Sequence, residues 1–416
     1  MPEQDPNSKS SERSASEKPA SRKPTLPPGA KKRAPATLPP GAKPSGTKSP
    51  GTRPPGAKPP GNRPPGSRPP GPGNTPGLPS GDGASGLTKA DFTSDQDVRW
   101  CPGCGDYAIL STVQRLMPEL GVPRENVVFI SGIGCSSRFP YYMNTYGMHS
   151  IHGRAPTIAT GLKTARPDLD VWMITGDGDS LSIGGNHIIH IMRRNVDLQI
   201  IMFNNQIYGL TKGQYSPTSE VGKITKSTPF GSIDHPFNPI ALVLGAESSF
   251  AARTMDRDPK HMKEILRQAH SFKGTGFVEV YQNCNIFNDG AFFDFTEKKS
   301  KSDRAIFFEN EKPLVYAGGT KGLRLDGFHL ESIDLENGKW GIDDCVVFDE
   351  TSRELATILA RVHWKEDLPQ PFGVFYRENR PTYNDQVTEQ VAAVVEKQGK
   401  GSLEDLLAEG DTWVVG

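Results

Sequence analysis

Short runs of apolar residues alternate with longer segments of mixed character along the chain from about residue 98 onward. Four compact apolar runs predict buried strands, at 126–134, 170–175, 197–203 and 276–281. Apolar residues at helical spacing predict helices at 106–120 and, despite two glycines, at 181–195. Strands that alternate with helices in this way are typical of an α/β fold with a parallel sheet.

Residues 1–86 differ in composition from the rest of the chain. No aromatic residue occurs before Phe92, and the sequence PPGAK is present three times, starting at positions 27, 39 and 54. Such a segment cannot bury enough apolar surface to offset the entropy lost on ordering, so the sequence predicts a stiff, disordered extension. A basic arm attracted to an acidic partner is the other interpretation. Glycine does not occur at every third position, which excludes a collagen helix.

Charge is balanced over the 416 residues, with 48 basic and 48 acidic side chains, but it is not evenly distributed. Residues 1–86 carry 14 Lys and Arg against 5 Asp and Glu, so the remainder, with 34 basic and 43 acidic residues, is acidic. This argues against nucleic acid as a partner of the folded part. The N-terminus contains no apolar stretch of signal-peptide length, and nowhere do eighteen apolar residues run together, so we expect a soluble, cytoplasmic protein with no membrane partner.

The residues that follow the four predicted strands are the ones able to carry chemistry. In chain order they are Cys135, Asp177, the pair Asn204 and Asn205, and Cys284. In a parallel sheet the carboxyl ends of the strands share one edge, which is where open α/β sheets bind ligands. We therefore expect these side chains to converge although they are far apart in sequence.

Gly-Asp-Gly at 176–178 is by itself a common turn sequence, but here Asn205 follows Asp177 by 28 positions, across one helix and one strand. Mg²⁺ prefers oxygen ligands in octahedral geometry and completes its shell with phosphates. The Asp177 carboxylate, the Asn205 amide oxygen and the Ile207 carbonyl would form one face of that octahedron. The arrangement resembles the diphosphate-binding motif of thiamine-diphosphate enzymes, in which glycines let the backbone approach the phosphates. A helix start at about Leu181 would add amide donors.

Four of the five cysteines form a candidate set of soft ligands. The pair Cys101 and Cys104 could be half a zinc site, a redox disulfide or part of an iron–sulfur cluster. The second close pair typical of structural zinc is missing, and a redox pair would leave Cys135 and Cys284 unexplained. Four thiolates at one sheet edge suit a [4Fe-4S] cluster. Cys345 is interpreted as a small buried apolar residue.

The stretch from about 98 to 290 resembles the β subunit of 2-oxoacid:ferredoxin oxidoreductases. The motifs that carry the resemblance occur in family order, and they are WCPGCG, GIGCSSR, HSIHGRA, TGDGDSLSIGGNH and FNNQIYGLTKGQ. Residues 313–335 and the remainder look like the C-terminal region of the family. The resemblance implies a thiamine-diphosphate-binding α/β domain at 98–295 and a family-specific C-terminal region at 296–416. The disordered Pro/Gly/Lys-rich extension at 1–86, predicted from its composition, lies outside the resemblance.

The resemblance also implies roles for individual residues. One [4Fe-4S] cluster would be ligated by Cys101, Cys104, Cys135 and Cys284, and Mg²⁺ by Asp177, Asn205 and the carbonyl of Ile207. Thiamine diphosphate would be lined by Ile133, Gly134, Cys135, Ser136, Gly176, Gly178, Asp179, Gly209 and Leu210. Arg138 stands where several relatives have Lys, so a phosphate-neutralising role carries over only loosely. For His149, His152 and Arg154, which lie in a family motif, a structural role and a site role are both open.

The implied activity is the oxidative decarboxylation of a 2-oxo acid with CoA to an acyl-CoA and CO₂, with ferredoxin as the electron acceptor. The stretch GIGCSSRFPYYMNTYGMHSIHGR looks more like the 2-oxoglutarate members, whose product is succinyl-CoA. Only one α/β module is recognisable, so the carboxylate that activates the thiamine ring is expected on a separate α subunit. Two alternatives stay open: a non-oxidative thiamine-diphosphate-dependent decarboxylase subunit without a cluster, and a zinc-stabilised binding module without catalysis.

Overall fold

A computed structural model describes residues 86–362, 367–411 and 413. The predicted N-terminal extension therefore lies outside the described residues, apart from Gly86. The strands are β1 Val127–Ser131, β2 Tyr146–His149, β3 Asp170–Gly176, β4 Leu198–Asn204, β5 Phe250–Met255, β6 Thr275–Tyr281, β7 Ala305–Phe307, β8 Val315–Tyr316, β9 Lys321–Asp326, β10 His329–Asp334 and β11 Gln370–Arg377.

The α-helices connect or flank these strands. They are α1 Asp106–Leu120, α2 Ala155–Ala165, α3 Gly185–Arg194, α4 Pro239–Gly245, α5 Pro259–Ser271, α6 Phe293–Thr296, α7 Lys301–Arg304, α8 Arg353–Ala360, α9 Tyr383–Gln398 and α10 Leu403–Ala408. Among the described residues, no helix is long and apolar enough to cross a membrane.

Eight strands form one sheet in the order β2-β1-β3-β4-β6-β5-β11-β7. The neighbours from β2 to β5 pair in parallel, and β11 pairs antiparallel with β5 and parallel with β7. Strands β8 to β10 form a separate antiparallel sheet. The predicted α/β fold with a mostly parallel sheet is confirmed, as is helix α1 over its whole length.

Alternate residues of the central strands enter two different cores, one on each face of the sheet. Phe129 of β1 and Trp172 of β3 pack with α1 and α5, whereas their neighbours Val128 and Met173 pack on the face that carries α2, α3 and α4. Because both faces are covered, these strands are continuous apolar runs in the sequence.

Two predicted elements differ from those observed. Strand β1 ends at Ser131, three residues earlier than expected, because the chain leaves the sheet at Gly132 to form the loop that carries Cys135. The predicted helix at 181–195 is divided: residues Asp179–Ile183 form a π-helical turn, and α3 begins only at Gly185. The amide of Gly184 donates to the carbonyl of Asp179 at 3.1 Å, an i to i+5 bond that widens this turn.

The region at 296–416 completes the main sheet. Its strands β7 and β11 are the last two members of the sheet, and Phe308, Leu323 and Phe348 join one of the cores on the sheet faces. The boundary between the predicted domain at 98–295 and the C-terminal region is therefore crossed by a continuous sheet and core.

Candidate cofactor-binding site

The carboxyl ends of β1, β3, β4 and β6 bring the predicted site residues together. A Cβ atom built on Gly209 would lie 3.4 Å from the sulfur of Cys135 and 3.7 Å from that of Cys284. At the end of β3, a Cβ atom built on Gly176 would lie 3.3 Å from the hydroxyl of Ser136, which follows β1. Residues from four separate parts of the sequence thus meet at one edge, as the order of the strands requires.

Asp177 is buried and held by two hydroxyl groups. Ser216 donates a hydrogen bond to its Oδ2 at 2.5 Å, and the hydroxyl of Thr218 lies 2.6 Å from the same oxygen. Burial is the largest effect on this carboxyl and raises its pKa to about 6, against the lowering effect of the two hydroxyls. The carboxylate therefore has a fixed orientation and a raised affinity for protons, both of which bear on binding a cation.

Asn205 and Ile207 belong to a tight turn directly after β4. The Ile207 amide donates to the side-chain oxygen of Asn205 at 3.2 Å, while the Asn205 amide nitrogen donates to Gln282 at 2.9 Å. Between them, Gln206 has the left-handed φ of 56° that the turn needs. Together with the Asp177 carboxylate, this turn presents oxygen donors of the type that Mg²⁺ prefers, so the residues fit the expected ion.

Tyr208 explains why residue 178 must be glycine. A Cβ on Gly178 would lie 2.2 Å from the ring of Tyr208, whose hydroxyl donates to the Gly178 carbonyl at 3.1 Å. The space beside this glycine is taken by an aromatic ring, and its predicted approach to the diphosphate stays a prediction. Tyr208, Ser216 and Thr218 were not among the predicted site residues, although all three lie within fifteen residues of Asn205.

Asp179 organises loops from three strands. Its carboxylate accepts hydrogen bonds from the amide of Ile133 at 3.0 Å, the amide of Gly153 at 2.7 Å and the hydroxyl of Thr175 at 2.7 Å, and its Oδ1 lies 2.5 Å from the ring of His152. The Asp179 side chain is therefore engaged by protein groups, so that only its backbone is left for the predicted contact with the cofactor.

The family-motif residues whose roles were open have structural contacts. Besides the bond from His152 to Asp179, the ring of His149 is 2.8 Å from the Ser137 carbonyl, and Arg154 donates to the carbonyl of Ile183 at 3.1 Å. Arg138 lines a cavity of about 540 Å³, and its other lining residues include Arg99, Gly134, Tyr141, His149 and Leu210. Gly134 and Leu210, both predicted to touch the cofactor, therefore share an open cavity.

Hydrogen bonds tie together the three loops that carry the four cysteines. The amide of Gly105, directly after Cys104, donates to the Asn283 carbonyl at 3.1 Å, and Asn285 donates to the Pro102 carbonyl at 2.7 Å. The indole of Trp100 donates to the Cys135 carbonyl at 2.7 Å. The CPGC loop is thereby attached to the loops of both other cysteines.

The thiols of this site influence one another. Burial, followed by the charge of Asp106, raises the pKa of Cys104 and raises that of Cys135 to about 12; both thiols also feel the charge of Cys284. Asp106 itself is buried, one of its oxygens has no hydrogen-bond partner in the described part of the chain, and burial with the charge of Asp256 raises its pKa to about 7. The sequence pattern placed this acid only as the first residue of a helix.

Over residues 86–362, 367–411 and 413, no three His, Cys, Asp or Glu side chains are close enough to hold a single metal ion. A [4Fe-4S] cluster binds one thiolate on each of four irons, so its ligands stand farther apart than those of one ion. Cys101 is exposed, Cys104 and Cys135 are partly buried and Cys284 is buried, a donor set whose chemistry fits a cluster. Cys345 is also buried, but it packs against Gly322 in the small antiparallel sheet.

The chain is similar in sequence to a family of thiamine pyrophosphate enzymes and to oxidoreductase subunits that act on 2-oxo acids. The family described as thiamine pyrophosphate enzyme, C-terminal TPP binding domain, matches residues 132–280. The 2-oxoglutarate oxidoreductase subunit KorB of Mycobacterium tuberculosis is 53% identical over 330 residues, which are 78% of this chain and 88% of the relative. The 2-oxoacid:ferredoxin oxidoreductase subunit beta of Saccharolobus solfataricus is 37% identical over 324 residues, covering 74% and 95% of the two chains.

A solved structure is similar over the same region. It is a 2-oxoglutarate:ferredoxin oxidoreductase from Magnetococcus marinus with 2-oxoglutarate, coenzyme A and succinyl-CoA bound. The TM-score is 0.62 with 31% sequence identity, and the match covers 79% of this chain and 97% of the other.

Proposed function

This chain belongs to the β subunits of the 2-oxoacid:ferredoxin oxidoreductase family, and we propose that it carries the diphosphate, Mg²⁺ and [4Fe-4S] sites of an enzyme that oxidises 2-oxoglutarate. The products would be succinyl-CoA and CO₂, and the electrons would pass to ferredoxin. The observation that carries the proposal is the position of Gly209, which lies in the stretch predicted to bind the diphosphate and against the sulfurs of Cys135 and Cys284. Two cofactor sites at one sheet edge suit a decarboxylation coupled to electron transfer.

Each group of residues has a defined task in this proposal. Asp177, Asn205 and the carbonyl of Ile207 would hold Mg²⁺, and the backbone from Gly176 to Asp179, with Gly209 and Leu210, would hold the diphosphate. The loop from Ile133 to Ser136 would lie beside both cofactors. Thiamine diphosphate supplies the decarboxylation chemistry and the cluster accepts electrons, whereas the protein binds and orients these groups.

Cys101, Cys104, Cys135 and Cys284 would be the four cluster ligands. The hydrogen bonds among their loops support this assignment, because they hold the CPGC loop against the loops of the other two cysteines. The Cys101 side is exposed, which would place the cluster near the surface that an external electron acceptor approaches.

An α subunit is the partner that the proposal requires, since it would supply the carboxylate that activates the thiamine ring. Beyond Thr218 the chain forms a loop with four strongly exposed apolar side chains, Val221, Ile224, Phe230 and Ile233. Exposed apolar groups concentrated near a site are typical of an interaction surface, and we assign this loop to contact with the α subunit. A cytoplasmic complex is part of the same proposal.

2-Oxoglutarate is proposed as the substrate because the relative at 53% identity and the solved structure are both named for it. The test is co-expression with the α subunit, anaerobic purification, and assay of 2-oxo acids with CoA and a viologen dye. We expect the visible absorbance of an iron–sulfur protein and a CoA-dependent dye reduction that is faster with 2-oxoglutarate than with pyruvate.

Other results would contradict the proposal in recognisable ways. Release of CO₂ without dye reduction, from a colourless protein, would establish the non-oxidative decarboxylase. Zinc in place of iron after anaerobic purification would support the binding module. Dye reduction with pyruvate but not with 2-oxoglutarate would refute the substrate assignment alone.

A further inference from the structure

Gln282 connects the two halves of the candidate site. It follows β6 directly, lies two residues before Cys284, and is 1% exposed. Its side-chain oxygen accepts a hydrogen bond from the amide nitrogen of Asn205 at 2.9 Å. Its side-chain nitrogen donates to the sulfur of Cys104 at 3.3 Å and to the carbonyl of Asn283 at 2.6 Å. One buried amide thus contacts a predicted Mg²⁺ ligand on one side and a predicted cluster ligand on the other.

The contacts of Gln282 fix which end of its side-chain amide is the oxygen and which is the nitrogen. An amide side chain has two N–H donors and one oxygen, and here both donors and the oxygen are in use. With its nitrogen committed to Gln282, Asn205 presents its oxygen on the opposite side, next to the amide of Ile207. Gln282 therefore selects which end of the Asn205 amide is available to a cation.

At the other end, an N–H group that donates to a thiolate stabilises negative charge on the sulfur. A reduced iron–sulfur cluster carries one more negative charge than the oxidised form, so such a bond favours reduction and raises the midpoint potential. The two hydrogen bonds from Asn205 to Gln282 and from Gln282 to Cys104 also form a series, and each hydrogen bond in a series polarises and strengthens the next. A cation on the Asn205 oxygen makes its N–H a stronger donor to Gln282, which in turn makes Gln282 a stronger donor to Cys104.

We propose that Gln282 is a positioning residue that couples the Mg²⁺–diphosphate site to the cluster. It orients Asn205 for the metal, and it raises the cluster potential through Cys104 by an amount that increases when Mg²⁺ and thiamine diphosphate bind. This inference rests on the proposed function, because it requires both cofactors. By linkage, the enzyme with a reduced cluster binds Mg²⁺ and thiamine diphosphate more tightly than the enzyme with an oxidised cluster.

The experiment uses the αβ holoenzyme, purified anaerobically and depleted of Mg²⁺ and thiamine diphosphate by chelation. The midpoint potential of the cluster is measured by EPR-monitored titration before and after both are restored, and the affinity for thiamine diphosphate is measured in parallel. For the wild-type enzyme we expect the potential to rise when the cofactor and Mg²⁺ are added.

Two substitutions separate the two contacts. Gln282→Met removes both, so we expect a lower potential, no response to Mg²⁺ and thiamine diphosphate, and a roughly 10- to 100-fold weaker affinity for the cofactor. Gln282→Glu keeps an acceptor for Asn205 but offers no N–H to Cys104, so the potential should fall while the affinity stays near that of the wild type. The matched control is Gln199→Met on β4, a buried amide at 4% exposure whose oxygen has no hydrogen-bond partner in the described part of the chain. It should leave both quantities unchanged.

The outcomes distinguish this inference from the function on which it rests. A wild-type holoenzyme without an iron–sulfur EPR signal, or without affinity for thiamine diphosphate, would refute the proposed function and this inference together. A loaded wild type whose potential and cofactor response survive Gln282→Met would refute the role of Gln282 alone. Equal effects of Gln199→Met would also refute it, by showing a general consequence of losing a buried amide. If Gln282→Met fails to retain iron, an unaltered potential in Gln282→Glu would overturn the inference.

Discussion

Arg253 and Glu279 form an ion pair inside the sheet, next to the hydrogen bonds that hold Asp177. They are register partners on β5 and β6, their side chains are 2% and 0% exposed, and Arg253 Nε lies 2.7 Å from Glu279 Oε2. The other oxygen of Glu279 accepts from Asn204 at 2.7 Å, and the hydroxyl of Thr218 lies within hydrogen-bond distance of both Asn204 and Asp177. We predict that Arg253→Met destabilises the fold strongly.

The magnitude follows from the burial of both charges. Desolvation opposes the charge on Arg253, but its interactions with Glu279 and Tyr281 together outweigh this effect, and the pKa of the guanidinium is raised. Removing one partner of a buried pair costs about 3–5 kcal/mol, because the remaining charge has no counter-ion. The guanidinium also lies 5.1 Å from the ring centre of Tyr281, a contact that contributes about 1 kcal/mol. The free energy of unfolding should therefore fall by about 4–6 kcal/mol.

A double substitution tests whether the uncompensated charge is the cause. Arg253→Met combined with Glu279→Leu removes both charges of this pair, although Asn204 loses its acceptor at a cost of about 1–3 kcal/mol. Urea denaturation followed by tryptophan fluorescence gives the free energy of unfolding for each protein. The double variant should be more stable than Arg253→Met by about 2 kcal/mol. A loss below about 1 kcal/mol in Arg253→Met, or a double variant no more stable than the single one, would refute this reasoning.

Four further predictions concern the cofactors and the N-terminal extension. Asp177→Ala should abolish retention of thiamine diphosphate but leave the iron content unchanged, since the cluster ligands are separate thiolates; stoichiometric cofactor in this variant would contradict the assignment. Because burial raises the pKa of Asp177 to about 6, calorimetric affinity for Mg²⁺–thiamine diphosphate should fall about tenfold for each pH unit below that value, and a flat profile there would disprove metal binding by this carboxylate. Cys284→Ala should remove or weaken the iron–sulfur absorbance while Cys345→Ala should not, and the reverse pattern would identify another fourth ligand. Deleting residues 2–86 should leave cofactor content and dye-linked activity unchanged, so a loss of either would show that the extension contributes to the site.

Local sequence patterns predicted the main elements of the fold well, because the periodicity of apolar residues reflects burial within a single element. Helix α1 and strands β3, β4 and β6 have the expected positions to within one residue at each end. The pattern failed where the backbone departs from regular geometry. The π-helical turn at Asp179–Ile183 is followed by Gly184, which lies close to Gly153 in another loop, a contact that no local pattern records.

In the candidate site, too, some residues could be predicted from the sequence and others only from the structure. Residue type and spacing predicted Asp177, Asn205, Cys135 and Cys284 as site residues, because each follows a strand of a parallel sheet and all strand ends of that kind share an edge. Cys101 and Cys104 follow no strand, and they were predicted from their close spacing and their number with the other two cysteines. Sequence did not identify Ser216 and Thr218 as partners of Asp177, since a hydroxyl about forty residues away reaches a carboxylate only through the path of a folded loop.

Tertiary structure alone decided how the two groups of candidate ligands are joined. Gln282 and Cys104 are 178 residues apart in the chain, and Gln282 and Asn205 are 77 apart, yet one side-chain amide bonds to both. The strand order makes this possible, because β6 pairs with β4 and delivers Gln282 beside the turn that carries Asn205. A hydrogen bond depends on distances of about 3 Å and on direction, which arise only when separate elements pack. Apolar periodicity, residue chemistry and spacing act locally, and they therefore predict the elements and the candidate ligands but not how the loops that carry those residues are connected.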